Sequence, residues 1–236
     1  MHAAQKSNQT IVKLLSSLDQ YAHNLKMTTN ELDQNFHEKN LIVSIVNMPN
    51  NRAKPIVGFA FSKTISLQER ETKHTCSILD STTNQASTIE TNESIFNATT
   101  ITLDSSALAQ QNRLTFSIFN SQHRLFDEDR YHVLTRVISL TIDQPQLTED
   151  LSGFVKINFY LDDNHLRENQ TNITCAYWHI YENRTAQWST DGCRLIDRND
   201  RNVRCECDHL THFAVLMVRA RKSTIENERM RVCHFL

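Results

Sequence analysis

The chain has 236 residues, 25 Lys and Arg against 27 Asp and Glu, a net charge of −2, and only three Gly and three Pro. A chain of this length buries about 70% of its unfolded surface, so a sizeable core is available. The balanced charge, with no basic stripe, argues against a nucleic-acid partner, and the scarcity of Gly and Pro argues against collagen-like or low-complexity structure.

The first predicted element is a helix. Ile11, Leu14, Leu15, Leu18, Ala22 and Leu25 recur at three- and four-residue spacing, which puts them on one helix face. Thr10 is placed to cap its start. Thr28-Thr29-Asn30 breaks the pattern, and Leu32 and Phe36 suggest a second short helix over 31–38. Residues 1–40 therefore read as a helical segment that caps a sheet.

From Leu41 the pattern turns to short strands: Leu41–Val46, Ile56–Phe61, Thr99–Leu103, Leu114–Phe119, Val133–Ile142 and Phe154–Leu161. Leu114, Phe116 and Ile118 alternate with polar residues, as do Val155, Ile157, Phe159 and Leu161, so each strand has one buried and one wet face. Many short strands separated by turn signals predict a mainly β fold, an antiparallel β-sandwich over 41–218. Thr64–Asn97 is polar and reads as a long surface loop, and Asn120–Arg130 as a charged connector. Asp127-Glu128-Asp129 within it suits a solvated loop better than a calcium site, and no metal or cofactor is assigned.

Of six cysteines, four crowd between Cys175 and Cys207, and six Asn-x-Ser/Thr sequons occur, at Asn8, Asn92, Asn97, Asn169, Asn172 and Asn183. Together they favour a secreted or lumenal setting with disulfides and glycans. Cys205-x-Cys207-x-His209 could be read as metal ligands, but zinc sites favour wider gaps and a second ligand pair, so disulfides are the better reading. Trp178 and Trp188 read as core packing. The first residues, Met1 to Asn8, lack the apolar segment of a signal peptide. The longest apolar run, Phe213–Val218, is far short of the ~20 residues of a membrane span. An extracellular chain with neither feature is expected to be an excerpt of a longer protein at the extracellular face of the plasma membrane, or else a secreted, soluble relative. Residues 219–236 form a basic tail, with Arg219, Arg221, Lys222, Arg229 and Arg231 around Glu226 and Glu228. Cys76 and Cys233 remain without an assigned state.

The densest signals lie at 175–217: Cys-x-x-Trp at 175–178, Trp-Ser-x-x-Gly-Cys at 188–193, Cys-x-Cys-x-His-Leu-Thr at 205–211 and Phe-Ala-Val-Leu-Met at 213–217. This stretch resembles the GPS proteolysis-site motif that closes the GAIN domain of adhesion-type G-protein-coupled receptors, a motif shared with polycystin-1-like proteins. The resemblance is specific over 150–218 and only compatible over 1–149, where the short helical part would correspond to part of the helical GAIN subdomain.

Chemically, Thr211 carries a hydroxyl next to the Leu210 carbonyl. In an N-to-O acyl shift that hydroxyl attacks the preceding carbonyl, and water then hydrolyses the ester. A threonine hydroxyl is a poor nucleophile without a base, and His209, with an ordinary pKa of about 6.5, can take the proton. General-base help is worth about 10²–10⁴ in rate, while holding the reacting atoms in place supplies roughly 7–11 kcal/mol. Orientation therefore matters more than the base. Four cysteines allow three pairings, and the sequence alone does not choose among them. The resemblance implies Cys175–Cys205 and Cys193–Cys207. It further implies self-cleavage between Leu210 and Thr211 in a single turnover in cis. The strand Thr211, His212, Phe213, Ala214, Val215, Leu216 and Met217 would then be a tethered agonist, kept non-covalently by its own domain and acting in signalling on a seven-helix membrane region. The adhesive ligand is not identified. The alternatives are a structural or adhesive sandwich that keeps the motif without cutting, and the GPS module of a polycystin-like membrane protein.

Overall fold

The computed structural model describes residues 2–26, 33–38, 40–47, 56–65, 72–80, 98–103, 113–119, 126, 130–142, 155–161 and 172–218. Helix α1 (His2–Asn24) precedes the strands β1 (Asp33–Glu38), β2 (Leu41–Asn47), β3 (Ile56–Ile65), β4 (Thr72–Asp80), β5 (Ala98–Leu103), β6 (Arg113–Phe119) and β7 (Tyr131–Val133). They are followed by β8 (Val137–Ile142), β9 (Val155–Tyr160), β10 (Ile173–Ile180), β11 (Ala186–Ser189), β12 (Cys193–Arg198), β13 (Asn202–Cys207) and β14 (His212–Val218).

The strands make two antiparallel sheets. One runs β1-β2-β6-β8-β14-β10-β11, with β7 also paired to β14; the other runs β12-β13-β9-β5-β3-β4. Their facing sides share one core, in which Phe59 and Phe61 from the second sheet meet Phe116, Ile138, Phe213 and Val215 from the first. Phe59 and Phe116 stack across the gap with ring centroids 5.0 Å apart, an arrangement worth about 0.5–1.5 kcal/mol beyond area burial. The alternation seen in Leu114, Phe116 and Ile118, and in Val155, Ile157 and Phe159, supplies the inward-facing set.

The first sheet is buried on its other face as well. Ile11, Val12 and Leu15 of α1 pack there with Trp178, Trp188, Ala214 and Leu216, and farther along Ala22 packs on Val43 and Ile45. The buried stripe is rotated from the predicted one: Val12 is inside and Leu14 is exposed. The Arg113 guanidinium ends the helix, donating to the carbonyls of Ala22 (2.7 Å) and His23 (2.9 Å) and to Asn47 Oδ1 (2.9 Å). It thereby satisfies carbonyls that have no partner within the helix.

Several expectations are corrected. Thr10 lies inside α1, which begins at His2, where Ala3, Ala4, Gln5 and Lys6 are good helix formers. The predicted second helix over 31–38 is instead strand β1, in register with β2 from Asp33↔Val46 to Glu38↔Leu41. Its single long apolar side chain, Phe36, packs in the α1–β2 cluster, and pairing to a formed edge outweighs local helix spacing. The stretch 64–97 is not wholly loop: β3 continues to Ile65 and pairs with β4. Val133–Ile142 is two strands, interrupted where the Thr135 hydroxyl accepts the Val215 N–H at 3.0 Å in place of a backbone carbonyl. In the connector, Phe126 is buried, with its ring against Trp178 and Trp188 and its carbonyl accepting from Trp188 Nε1 at 2.7 Å. The acidic run 127–129, the tail 219–236, Cys233 and the side chain of Cys76 lie outside the described residues.

Candidate functional site

β13 and β14 belong to different sheets, so residues 208–211 must cross from one layer to the other. The Leu210–Thr211 bond sits in that crossing. Both sides of it are anchored. Upstream, Cys205 is bonded to Cys175, which joins the two sheets, and Cys207 is bonded to Cys193, which joins β13 to β12. This is the pairing expected from the resemblance, and it removes the Cys205 and Cys207 sulfurs as thiolate ligands. Downstream, the Thr211 carbonyl accepts from Leu140 N at 3.3 Å, and the chain enters β14.

β14 lies between β10 on one side and β8 and β7 on the other. Phe213 and Val215 point into the sandwich, while Ala214 and Leu216 point to the helix side. All five residues from His212 to Leu216 are buried, and Met217 packs on the rim. This is the strand buried on both faces that the apolar run Phe213–Met217 suggests.

His209 occupies the turn with its two ring nitrogens in different surroundings. Nδ1 lies 2.6 Å from Asp208 Oδ1. Which of the two donates in this contact depends on the tautomer of the ring. Nε2 is buried and has no hydrogen-bond partner among the described residues. The ring meets Tyr177 edge-on at a centroid distance of 4.0 Å and has Phe213 on another side at 5.8 Å. The Thr211 hydroxyl faces the Trp178 carbonyl at 3.5 Å, the outer limit of hydrogen bonding. Leu210 packs on the sandwich core.

Gly192 completes the turn from below. Its φ is +72°, its carbonyl accepts the Asp208 N–H at 3.0 Å, and a Cβ there would collide with Asp208 Oδ1. Glycine adopts this backbone conformation without strain, and a Cβ here would force the Asp208 carboxylate to shift. The residue after Thr211, His212, is fully enclosed beside Phe119, its Nδ1 unpartnered among the described residues, and burial pushes its pKa down to about 4. Sequence reasoning singled out His209, Leu210 and Thr211 and missed Asp208, Tyr177 and Thr135. Two signals were present: an acid directly before the histidine, and an aromatic residue inside Cys-x-x-Trp.

Of the sequons, Asn172 and Asn183 are exposed, Asn8 lies in α1, and Asn92, Asn97 and Asn169 fall outside the described residues. Asn183 tips the β10–β11 hairpin, its Oδ1 accepting from Thr185 N (3.0 Å) and Thr185 Oγ1 (2.6 Å). No helix among the described residues is long and apolar enough to cross a membrane.

A helix-covered antiparallel sandwich, closed by a doubly disulfide-anchored turn that leads into a strand central to its sheet, defines a class of β domain built around that strand. Residues 64–221 match the GPS family, described as GAIN subdomain B, and the chain belongs to that family. It is similar to latrophilin-like protein 1 of Caenorhabditis elegans, 34% identical over 36% of this chain and 8% of that protein. It is also similar to mouse adhesion G protein-coupled receptor L4, 38% identical over 38% of this chain and 12% of the receptor. Mouse cadherin EGF LAG seven-pass G-type receptor 2 is 34% identical over 39% of this chain and 3% of the receptor. The chain thus spans a small part of the length of these relatives. In fold it is similar to the full extracellular region of zebrafish Gpr126/Adgrg6, with a TM-score of 0.61 and 17% identity, over 85% of this chain and 25% of that one.

Proposed function

We propose that this chain is the extracellular GAIN/GPS module of an adhesion-type receptor, that it cuts its own backbone between Leu210 and Thr211, and that it stores the strand 211–217 as a tethered agonist. In the first step His209 Nε2 takes the Thr211 hydroxyl proton as Oγ1 attacks the Leu210 carbonyl carbon. The Oγ1–C bond forms, the C–N amide bond breaks, and the imidazolium returns the proton to the leaving Thr211 nitrogen. Water then hydrolyses the ester, giving a Leu210 carboxylate and restoring the Thr211 hydroxyl.

The observation that carries this reading is the buried, unpartnered Nε2 of His209 in the same disulfide-anchored turn as the bond. A ring nitrogen that no other group engages is open to take the hydroxyl proton when the two come within hydrogen-bond reach. The position of β14 supports storage. Both disulfides among the described residues lie upstream of the bond, so after a cut the strand would be held only by its ladders and side chains. Burial of Phe213, Val215 and Leu216 stabilises that association by about 1.5–3 kcal/mol per side chain. The exposed sequons Asn172 and Asn183 suit glycan acceptors on an extracellular face. The relatives bear receptor names, which favours a receptor with a seven-helix region over a polycystin-like parent.

The second reading, a sandwich that keeps the motif without cutting, draws on the Thr211 hydroxyl facing the Trp178 carbonyl and not His209. Mass spectrometry of the denatured, secreted chain separates the two. Self-cleavage gives two fragments meeting at Leu210 and Thr211, and a single undivided Thr211→Ala chain. An undivided wild type establishes the non-cleaving sandwich.

A further inference from the structure

We infer that Asp208 is the positioning residue of the proposed cut: its carboxylate holds His209 as the Nδ1–H tautomer and so keeps the Nε2 lone pair free for the Thr211 hydroxyl. The inference rests on the self-cleavage reading for its consequence, but its physical content is the protonation of one ring.

Asp208 has no need of its side chain to shape the turn, because its backbone N–H already bonds the Gly192 carbonyl at 3.0 Å. Its carboxylate is 40% exposed, so hydration by solvent is open to it, yet Oδ1 lies 2.6 Å from His209 Nδ1. The carboxylate's seat is prepared from another element. Gly192 ends the turn between β11 and β12, and the space its missing Cβ leaves is the space the Asp208 carboxylate occupies. The neighbours of these two residues are joined to each other, since Cys193 follows Gly192 and Cys207 precedes Asp208. The Cys193–Cys207 bond therefore fixes the seat and the carboxylate in one frame, and that frame fixes the ring.

The consequence follows from the two-nitrogen character of imidazole. A neutral ring has one N–H and one lone pair, and the hydrogen bond made by one nitrogen decides the state of the other. Were Nδ1 left without an acceptor, the hydrogen could move to Nε2. There it would sit buried without a partner, and the ring would face the hydroxyl with a donor. Tyr177 and Phe213 confine the ring but offer it no such choice, since both meet it through carbon edges and faces.

The test has two arms. In uncut Thr211→Ala protein, the ¹⁵N shifts of His209 report the tautomer directly. The expected result is Nδ1–H in the parent, with a shift to Nε2–H when Asp208→Ala is added and retention of Nδ1–H with Asp208→Asn, whose amide oxygen still accepts. In the chain that retains Thr211, pulse-labelled cleavage is expected to slow by about 10²-fold in Asp208→Ala, within the range general-base help supplies. Asp208→Asn is expected to stay within about tenfold of wild type by the same measure. Added formate is expected to restore part of the rate of purified, uncut Asp208→Ala protein, which a merely structural role would not allow. Nε2–H in the Thr211→Ala parent, or wild-type cleavage by Asp208→Ala, overturns the inference and leaves the proposed function standing. An undivided wild type with Nδ1–H in the Thr211→Ala parent overturns the proposed function and leaves the tautomer assignment standing.

Discussion

β14 leaves the turn at 208–211 and β12 borders it through the Cys193–Cys207 bond, and the two are held in opposite ways. β14 is central, has strand partners on both sides, and is buried on both faces. Among the described strands β12 lies at an edge and pairs only with β13, and every one of its residues after Cys193 is exposed, including Leu195 and Ile196. Arg194 pairs with Glu206 and Arg204 with Asp197 across this ladder, but exposed ion pairs are worth little. What fastens β12 is the Cys193–Cys207 bond. The strand that the proposed chemistry would free is thus kept by its ladders and by burial, and the strand that frames the chemistry is kept by one ladder and a covalent link.

That contrast can be broken experimentally in the Thr211→Ala chain, where unfolding is of one polypeptide. Phe213→Ala in β14 removes a fully buried ring from the sandwich core. It should lower the unfolding free energy by about 3–5 kcal/mol in a urea titration. Replacing Cys193 and Cys207 by Ser opens a bond spanning 14 residues. The expected loss is about 3 kcal/mol, with amide exchange accelerating in β12 before β14. Equal acceleration in both strands would mean that the edge is not held separately.

A third measurement uses pH. The pKa of His212 is lowered from 6.5 to about 4 by burial, so between those values the unfolded chain binds a proton that the folded chain refuses. Its contribution to stability is present above 6.5 and is lost as pH falls towards 4. Lowering pH from 7 to 5 should therefore cost roughly 2 kcal/mol through this group. His212→Phe should flatten the corresponding part of the stability–pH curve; an unchanged curve would show that the imidazole is not enclosed. The smallest effect belongs to the edge: Ile196→Ser in β12 should change stability by no more than about 0.5 kcal/mol. A loss of several kcal/mol there would make β12 part of the core and erase the comparison.

The fold was legible where side chains repeat at a fixed period. Leu114, Phe116 and Ile118 announced β6, and the helix stripe announced α1, although with a rotation that traded Leu14 for Val12. β1 was misread because Leu32 and Phe36 have helical spacing, while its pairing partner is set by β2. The hairpin strands β10 to β13 escaped strand assignment because Cys, Trp, Arg and Asn interrupt their alternation. At the candidate site, His209, Leu210 and Thr211 were named through the likeness of 205–211 to the GPS motif, and the chemistry proposed for them is local to the chain. Tyr177, Thr135 and Gly192 act on the turn and on β14 from other elements, through contacts that no local spacing records. Thr135 in particular replaces a backbone carbonyl, for which a sequence has no mark.

The order of residues by itself determined which groups could react, because a hydroxyl, its preceding carbonyl and a nearby imidazole are neighbours along the backbone. It also determined that an apolar strand comes next. Tertiary structure decided that this strand lies mid-sheet with both faces covered, that the turn before it bridges two layers, and that one imidazole nitrogen meets a carboxylate while the other is enclosed. Those outcomes depend on strands distant in sequence meeting in register, and burial is a property of the neighbours a residue acquires, not of the residue.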